Sequence, residues 1–175
     1  MLTIESETTV PGLTGREITD FLLDPRDDRY RSWWPGTHLM LHRTRRGPGD
    51  DHVGDTVLMD EYVGFRRVHL LGEVIEAVPA ELIVWQFRKW GLRLPARLTL
   101  SLQASDGGVR LRHTITAGWA GRARVMDPWW RLWLSPSFAD AMDRHVRTEF
   151  PLLRDLLLRE QRQSLAAGPA SDTEG

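Results

Sequence analysis

The chain has 175 residues, no cysteine and an almost balanced charge, with 23 lysine and arginine residues against 24 aspartate and glutamate residues. The length indicates one domain, and the lack of cysteine excludes disulfides, thiolate metal sites and a cysteine nucleophile. The balanced charge disfavours nucleic-acid binding. No apolar run reaches the roughly 18 residues of a membrane span, and the N-terminus lacks a secretory-signal pattern, so we expect a cytoplasmic protein.

The first predicted elements are a strand and short helices. Residues 2–10 begin with alternating apolar and polar side chains, which indicates a strand. Thr14 followed by Glu17 has the spacing of a helix capping box, and Pro25 ends this helix because a residue before proline resists the α conformation. A further helical turn is predicted at residues 27–32.

Six more strands are predicted after these helices, separated by turn signals. Their ranges are residues 37–45, 55–63, 66–77, 81–90, 92–104 and 109–119. The alternation is clearest in the last two, where Leu98, Leu100 and Leu102 share a face that we expect to be buried, opposite Arg97 and Thr99. Short connections between the strands predict antiparallel neighbours.

The C-terminal part has a helical pattern. Asp127 and Pro128 suit the start of a helix, and residues 138–162 carry apolar side chains at steps of three or four, which predicts a long amphipathic helix. Pro151 is expected to kink this helix because it lacks a backbone donor. We therefore predict a single domain at residues 1–163 and a disordered, small and polar tail at residues 164–175.

The order of these elements, together with five local sequences, resembles a known family. These sequences are Trp33-Trp34-Pro35-Gly36, Gly54-Asp55, Glu76-Ala77-Val78-Pro79, Val84-Trp85 and the segment at residues 145–151. They are similar to the SRPBCC superfamily, which includes START lipid-transfer domains, the major birch pollen allergen and polyketide cyclases/dehydrases, and most of all to a bacterial branch of mostly unassigned function. The resemblance implies an α+β helix-grip fold, a curved seven-stranded antiparallel sheet wrapped around a long C-terminal helix.

A cavity between sheet and helix is the main functional expectation. One helix roughly 10 Å wide cannot fill the space over a curled seven-stranded sheet, so that space is either packed by large side chains or hollow, and the resemblance implies that it is hollow. Eight tryptophans suit both outcomes. The side chains that we expect to line it are Trp85, Phe87, Met59, Leu100, Leu111, Trp119, Met142 and Val146.

His113 and Glu61 are the candidate catalytic residues. His113 interrupts an apolar face and is expected to point inward, where a buried imidazole could act as a base or be a hydrogen-bonded core residue. Glu61 shares an alternating face with Met59, and an inward carboxylate suits acid–base chemistry. If that strand faces the other way, Asp60 and Tyr62 enter the cavity instead.

The remaining histidine patterns give no predicted metal site. His38 and His42 would lie roughly 13 Å apart on a strand, so we predict that they share no ion, and we expect no metal and no other cofactor. His145 and Glu149 are one helical turn apart, which predicts a surface pair, with a position facing the cavity as the alternative.

These features predict a protein that binds a small hydrophobic molecule, aromatic or acyl, in an internal cavity. The alternative is a cofactor-independent cyclase, dehydratase or isomerase in which buried histidine and carboxylate groups move a proton. Trp129, Trp130 and Trp133 are expected to be core residues or a lid over the cavity. No nucleic-acid partner and no stable membrane insertion are expected, and a homodimer is left open.

Overall fold

A single antiparallel sheet of seven strands forms the body of the protein. The computed structural model describes residues 1–119 and 127–167, apart from the side chains of residues 127–129 and 167. The strands are β1 Leu2–Pro11, β2 His38–Arg45, β3 Thr56–Val63, β4 Arg66–Val78, β5 Leu82–Lys89, β6 Leu92–Ser105 and β7 Gly108–Ala117. Their spatial order is β1-β7-β6-β5-β4-β3-β2, so β1 lies beside β7 and the others follow chain order.

Helices cover one face of this sheet, which we call the inner face. They are α1 Gly15–Leu23, α2 Asp27–Trp33, α3 Asp127–Trp133 and α4 Pro136–Ala167. The long helix α4 packs against β1 and β3, and α2 packs against both β2 and α4. The largest apolar cluster lies between the inner face and these helices. Across residues 1–119 and 127–167, none of the helices combines the length and the apolar composition that a membrane crossing needs.

The predicted α+β helix-grip architecture is confirmed. The seven strands are antiparallel, the two short helices α1 and α2 lie between β1 and β2, and α4 closes the structure. The predicted capping box is present, since Thr14 accepts a bond from the Glu17 backbone and the Glu17 side chain accepts one from the Thr14 backbone. These two bonds pair amide groups that the first helical turn would otherwise leave without a partner.

The alternation of β6 and β7 has the predicted orientation. Leu100 and Leu102 are buried on the inner face, and Arg97 is exposed on the outer face. Leu98 and Thr99 are half-buried. Leu98 is not fully covered because it borders the cavity described below.

Helix α4 is longer than its sequence pattern predicts. It contains Pro151 in its interior and continues to Ala167, four residues beyond the predicted domain boundary at residue 163. Residues 164–167 are therefore helical, not part of a disordered tail. Residues 168–175 lie outside the described residues, so the tail predicted there stays a prediction.

Candidate functional site

A cavity of about 310 Å³ lies between the inner face and helices α3 and α4. Its described wall is apolar except for Glu61, Lys89 and His113. Side chains from β3 to β7 form one side, and Trp130, Trp133 and residues of α4 form the other. Seven strands and one long helix thus leave the space that the sheet curvature predicts.

A second, smaller cavity of about 70 Å³ adjoins the first. The two share Met59, Glu61, Leu98 and His113 in their walls. The smaller one continues towards α2 and is bounded there by Tyr30. The polar residues Glu61 and His113 therefore lie on the wall between an apolar chamber and a narrower, more polar one.

Five of the eight side chains that were expected to line the cavity do line one of the two cavities, and three do not. Met59, Phe87 and Met142 line the large cavity, and Trp85 and Leu100 line the small one. The others lie elsewhere: Leu111 and Val146 are fully covered core residues, and Trp119 contacts the Trp130 ring at a centroid distance of 5.8 Å. Leu111 and Val146 belong to positions where sheet and helix touch directly, which leaves no free space beside them.

The two predicted catalytic residues converge on the cavities. Glu61 points to the inner face, as predicted, while Asp60 points outward and is paired with Arg67 at 2.6 Å. His113 is buried and lies opposite Leu100 in the β6–β7 register. Burial lowers the pKa of His113, and the nearby carboxylates of Glu149 and Glu61 only partly oppose this, so the imidazole is neutral at pH 7.

Four side chains from three elements form a buried cluster beside these cavities, which we call the tetrad: His38, Glu61, His145 and Glu149. His38 on β2 is the direct cross-strand partner of Glu61 on β3, and His145 and Glu149 are one turn apart on α4. Their potential ligand atoms all lie within 4.8 Å of one another. A cross-strand pair and a helical i,i+4 pair thus face each other across the interface between sheet and helix.

The contacts within the tetrad run between nitrogen and oxygen atoms. His38 Nε2 lies 3.6 Å from Glu61 Oε2 and 3.5 Å from Glu149 Oε2. His145 Nε2 lies 3.6 Å from Glu61 Oε2 and 3.3 Å from Glu149 Oε2. Each imidazole is therefore close to both carboxylates.

Aromatic residues surround the tetrad and fix its side chains. The Tyr30 hydroxyl donates to Glu61 Oε2, and its ring stacks on His38 at a centroid distance of 4.0 Å. The Trp33 indole donates to the Glu149 backbone oxygen at 2.5 Å, and the Trp34 ring lies 4.9 Å from that of His145. Such contacts restrict the rotamers of the tetrad and hold it rigid.

The tetrad shifts the pKa values of His145, Glu149 and Glu61. Burial favours the neutral form of these three groups, but the opposite charges around them outweigh it. The Glu149 and Glu61 carboxylates raise the pKa of His145 to about 10, and the two imidazoles lower the pKa of Glu149 to about 2. The pKa of Glu61 is also lowered, because the effect of His145 exceeds that of burial.

Sequence reasoning missed most of this cluster. The predicted surface pair of His145 and Glu149 is wrong, since both residues are buried and face Glu61. At the level of sequence, His38 was compared only with His42, as a possible shared metal site. In the structure His42 contacts Asp27 at 3.0 Å. A β-bulge after His38 buries both His38 and Leu41, a spacing of three that simple strand alternation does not allow.

The predicted tryptophan arc borders the large cavity. Trp130 is buried and Trp133 is half-buried, and both line the cavity wall. The Trp129 side chain lies outside the described residues. Both described rings pack in the second apolar cluster, as the core prediction requires, and both form part of the cavity wall. The lid role stays a prediction.

Comparison with known proteins supports the fold and extends no further. No family model matches the chain, and no curated protein matches it. Among solved structures, a protein from Rhodobacter sphaeroides is similar with a TM-score of 0.54 and 15% identity, covering 90% of this chain and 93% of that chain. Ginseng major latex-like protein 151 from Panax ginseng has a TM-score of 0.53 and 10% identity, covering 82% and 96%.

A third similar structure is Ara h 8.0201, with a TM-score of 0.50 and 15% identity over 83% of this chain and 97% of that one. Similarity at such low identity shows a shared fold and not a shared activity. These similarities agree with the helix-grip fold that the sequence resemblance implied.

Proposed function

We propose that the protein binds one small hydrophobic molecule, aromatic or acyl, in the large cavity. The observation that carries this proposal is the wall itself, which is apolar apart from Glu61, Lys89 and His113. An apolar pocket with a few convergent polar groups is the usual form of a small-molecule site. The apolar part of the ligand would be buried, and its polar end would meet His113 and Glu61.

The size of the cavity narrows the class of ligand. Its volume of about 310 Å³ is at the lower end of the roughly 300–1,000 Å³ typical of ligand pockets. A single aromatic ring system or a short acyl chain suits this space better than a two-chain lipid. Lys89, the only lysine of the chain, lies in the wall beside Trp90, where it could pair with an anionic group near the exposed end of the ligand.

We further propose that the protein works in the cytoplasm and has no nucleic-acid partner. The balanced charge supports the second of these proposals. Phe65, Trp90 and Leu132 are highly exposed apolar side chains, and a homodimer would cover such a surface. Light scattering of the purified protein distinguishes a homodimer from a monomer by mass.

A matched pair of substitutions on β6 tests ligand binding. Ala96 lines the cavity, whereas Ala104 is exposed near the end of the same strand. We expect Ala96→Leu to occupy part of the cavity and to weaken binding of a fluorescent aromatic probe by about tenfold or more, since overlap of a few atoms costs on the order of 1–3 kcal/mol. Fluorescence titration and thermal shift with the probe measure this effect.

Ala104→Leu is the control and should bind like the wild-type protein. Circular dichroism confirms that both variants are folded. Equal affinity of both variants for the probe, or no saturable binding by the wild-type protein, would contradict the proposal.

The second candidate function is a proton-transfer enzyme of cyclase, dehydratase or isomerase type. The observation that favours it is the position of His113 and Glu61 in the walls of both cavities. A neutral buried imidazole beside an apolar ligand can accept a proton from a carbon next to a carbonyl group, and a ligand that fills the apolar cavity would keep water away from the carbanion.

His113→Gln separates the two functions. The substitution keeps approximate size and one hydrogen bond but removes the proton-accepting group. If the protein is an enzyme, wild-type protein in D₂O should incorporate deuterium into a bound carbonyl ligand, and the variant should do so about 10²–10⁴-fold more slowly, as detected by mass spectrometry. Equal exchange rates in the two proteins, or none in the wild type, would leave only the binding function.

A further inference from the structure

We propose that the tetrad of His38, Glu61, His145 and Glu149 binds one divalent first-row transition-metal ion of the Zn²⁺ type. This site is independent of whether the large cavity holds a ligand. Four arguments carry it: the spacing of the ligand atoms, their hydrogen bonding, their charge and the rigidity of their surroundings.

The spacing of the tetrad is that of a tetrahedral coordination shell. With metal–ligand bonds of about 2.0–2.2 Å, two ligand atoms of a tetrahedral zinc site are about 3.4 Å apart. The four nitrogen–oxygen distances in the tetrad are 3.3, 3.5, 3.6 and 3.6 Å. All the ligand atoms lie within 4.8 Å of one another, so only small side-chain shifts are needed to close the shell.

The histidine nitrogens that face the two carboxylates are placed as metal ligands would be. Among the described residues, neither His38 Nε2 nor His145 Nε2 makes a hydrogen bond of acceptable geometry, although both atoms are buried. Both nitrogens nevertheless lie close to two carboxylates. A neutral imidazole coordinates a metal through such a nitrogen lone pair. His38 Nδ1 also has no hydrogen-bond partner in the described structure, and stacking on Tyr30 holds the ring.

The two carboxylates of the tetrad have different ion-pair partners from the other buried carboxylates. Asp55, Asp60 and Glu73 are each paired with arginine. In the described part of the chain, the ion pairs of Glu61 and Glu149 are with histidines alone. A metal ion that binds here would displace the proton of His145, and the two carboxylates would then leave a charge of −2 that a divalent cation balances.

The donor set and its surroundings suit a transition metal. Two nitrogen and two carboxylate ligands favour zinc, iron or manganese over magnesium or calcium, and no thiolate is present in the chain to favour copper(I). The bond from Tyr30 to the Glu61 carboxylate is an outer contact of the kind that orients a metal ligand, and the bond from Trp33 to the Glu149 backbone holds α4 beside it. Glu61 lines both cavities, so an ion could enter from the large cavity.

Occupancy of the site would also constrain the second candidate function. The Glu61 carboxylate would coordinate the ion and would no longer accept protons. His113, which lies in the wall beside Glu61, would remain the base.

The test measures binding of Zn²⁺ and Co²⁺ to the full-length protein after dialysis against a chelator. We expect calorimetry to give one Zn²⁺ per chain, and Co²⁺ to produce the intense visible bands of four-coordinate cobalt. His38→Gln and Glu149→Gln should each weaken Zn²⁺ binding by more than the about 10–100-fold typical of losing an outer contact. His69→Gln is the matched control, because His69 also contacts a buried carboxylate, that of Asp60 at 3.1 Å, but lies outside the tetrad.

Two results would overturn the proposal: a wild-type protein that binds no stoichiometric Zn²⁺, or Zn²⁺ affinity that is equal in His38→Gln, Glu149→Gln and His69→Gln. Either would mean that the tetrad is a metal-free network of two carboxylates and two histidines. Because a tetrad variant could fail to fold, X-ray absorption at the zinc edge of the wild-type protein gives a second measurement. It should show two imidazoles and two oxygens at about 2.0–2.1 Å, and fewer than two imidazoles would contradict the site.

Discussion

At the scale of single residues, Glu73 shows how the outer face of the sheet covers a carboxylate. Glu73 lies on β4 and is only 8% exposed. Arg88 contacts its carboxylate at 2.6 Å and Arg93 at 3.2 Å, and their long side chains shield it from water. Burial alone would raise the pKa of Glu73. The two arginines have the larger effect, so the pKa lies below its ordinary value.

Glu73→Gln should therefore destabilise the protein at neutral pH and have less effect in acid. We expect a loss of about 1–2 kcal/mol in the free energy of unfolding at pH 7, at the low end for charged hydrogen bonds because Arg93 is 64% exposed and partly screened by water. A lowered folded-state pKa stabilises the protein above 4.5, the ordinary value for glutamate, and this stabilisation is lost as the pH falls below it. Urea unfolding at several pH values measures the difference.

The matched control is Glu76→Gln, an exposed glutamate on the same strand. Its effect should stay within about 0.5 kcal/mol at every pH. A Glu73→Gln effect that is constant from pH 7 to pH 3 would show that the arginine pairs do not control this carboxyl group.

At the scale of elements, α1 is fixed against the turn between β4 and β5. A Cβ atom added at Gly15, the first residue of α1, would lie 2.1 Å from the Ala80 backbone oxygen. The Thr19 hydroxyl accepts a bond from the Ala80 amide at 3.2 Å, and Ala80 itself has a φ of 69°, in the left-handed region. The helix can approach this turn so closely because position 15 has no side chain.

Gly15→Ala should destabilise the protein by about 1–3 kcal/mol, because the added methyl group collides with backbone atoms that cannot move independently. The direction is opposite to intrinsic helix propensity, in which alanine is better than glycine by about 1 kcal/mol. Thermal and urea unfolding measure the change.

Gly49→Ala is the control, since the nearest atom to a Cβ there belongs to the flexible Asp51 side chain at 3.1 Å. This control should change the free energy of unfolding by less than about 0.5 kcal/mol. A neutral or stabilising Gly15→Ala would mean that α1 can shift away from the β4–β5 turn at little cost.

At the scale of the whole molecule, local patterns predicted the elements more completely than the site. Alternation along β6 and β7 reports directly which face is buried, and the Thr14–Glu17 spacing reports a helix start, so these features follow from neighbouring residues alone. The same reasoning placed Glu61 and His113 on the inner face.

The tetrad could not be predicted in this way because it depends on how the elements meet. Pairing His38 with Glu61 requires the β2–β3 register and its bulge, and neither is visible in one sequence. Bringing His145 and Glu149 to this pair requires the rotation of α4 about its axis, and both residues lie on the flank of its apolar stripe. The spacing of His145 and Glu149 was visible in the sequence, but their contact with His38 and Glu61 was not.

The chain order of the tetrad has a consequence for protein synthesis. His38 and Glu61 are made early, and the side chains that complete their environment come from α4, which follows all seven described strands in chain order. On the ribosome, the completed strands would expose the apolar inner face and the Glu61 carboxylate to water until residues 145 and 149 emerge. During that interval, the nascent sheet depends on water, or on a chaperone, to cover the surface that α4 later occupies.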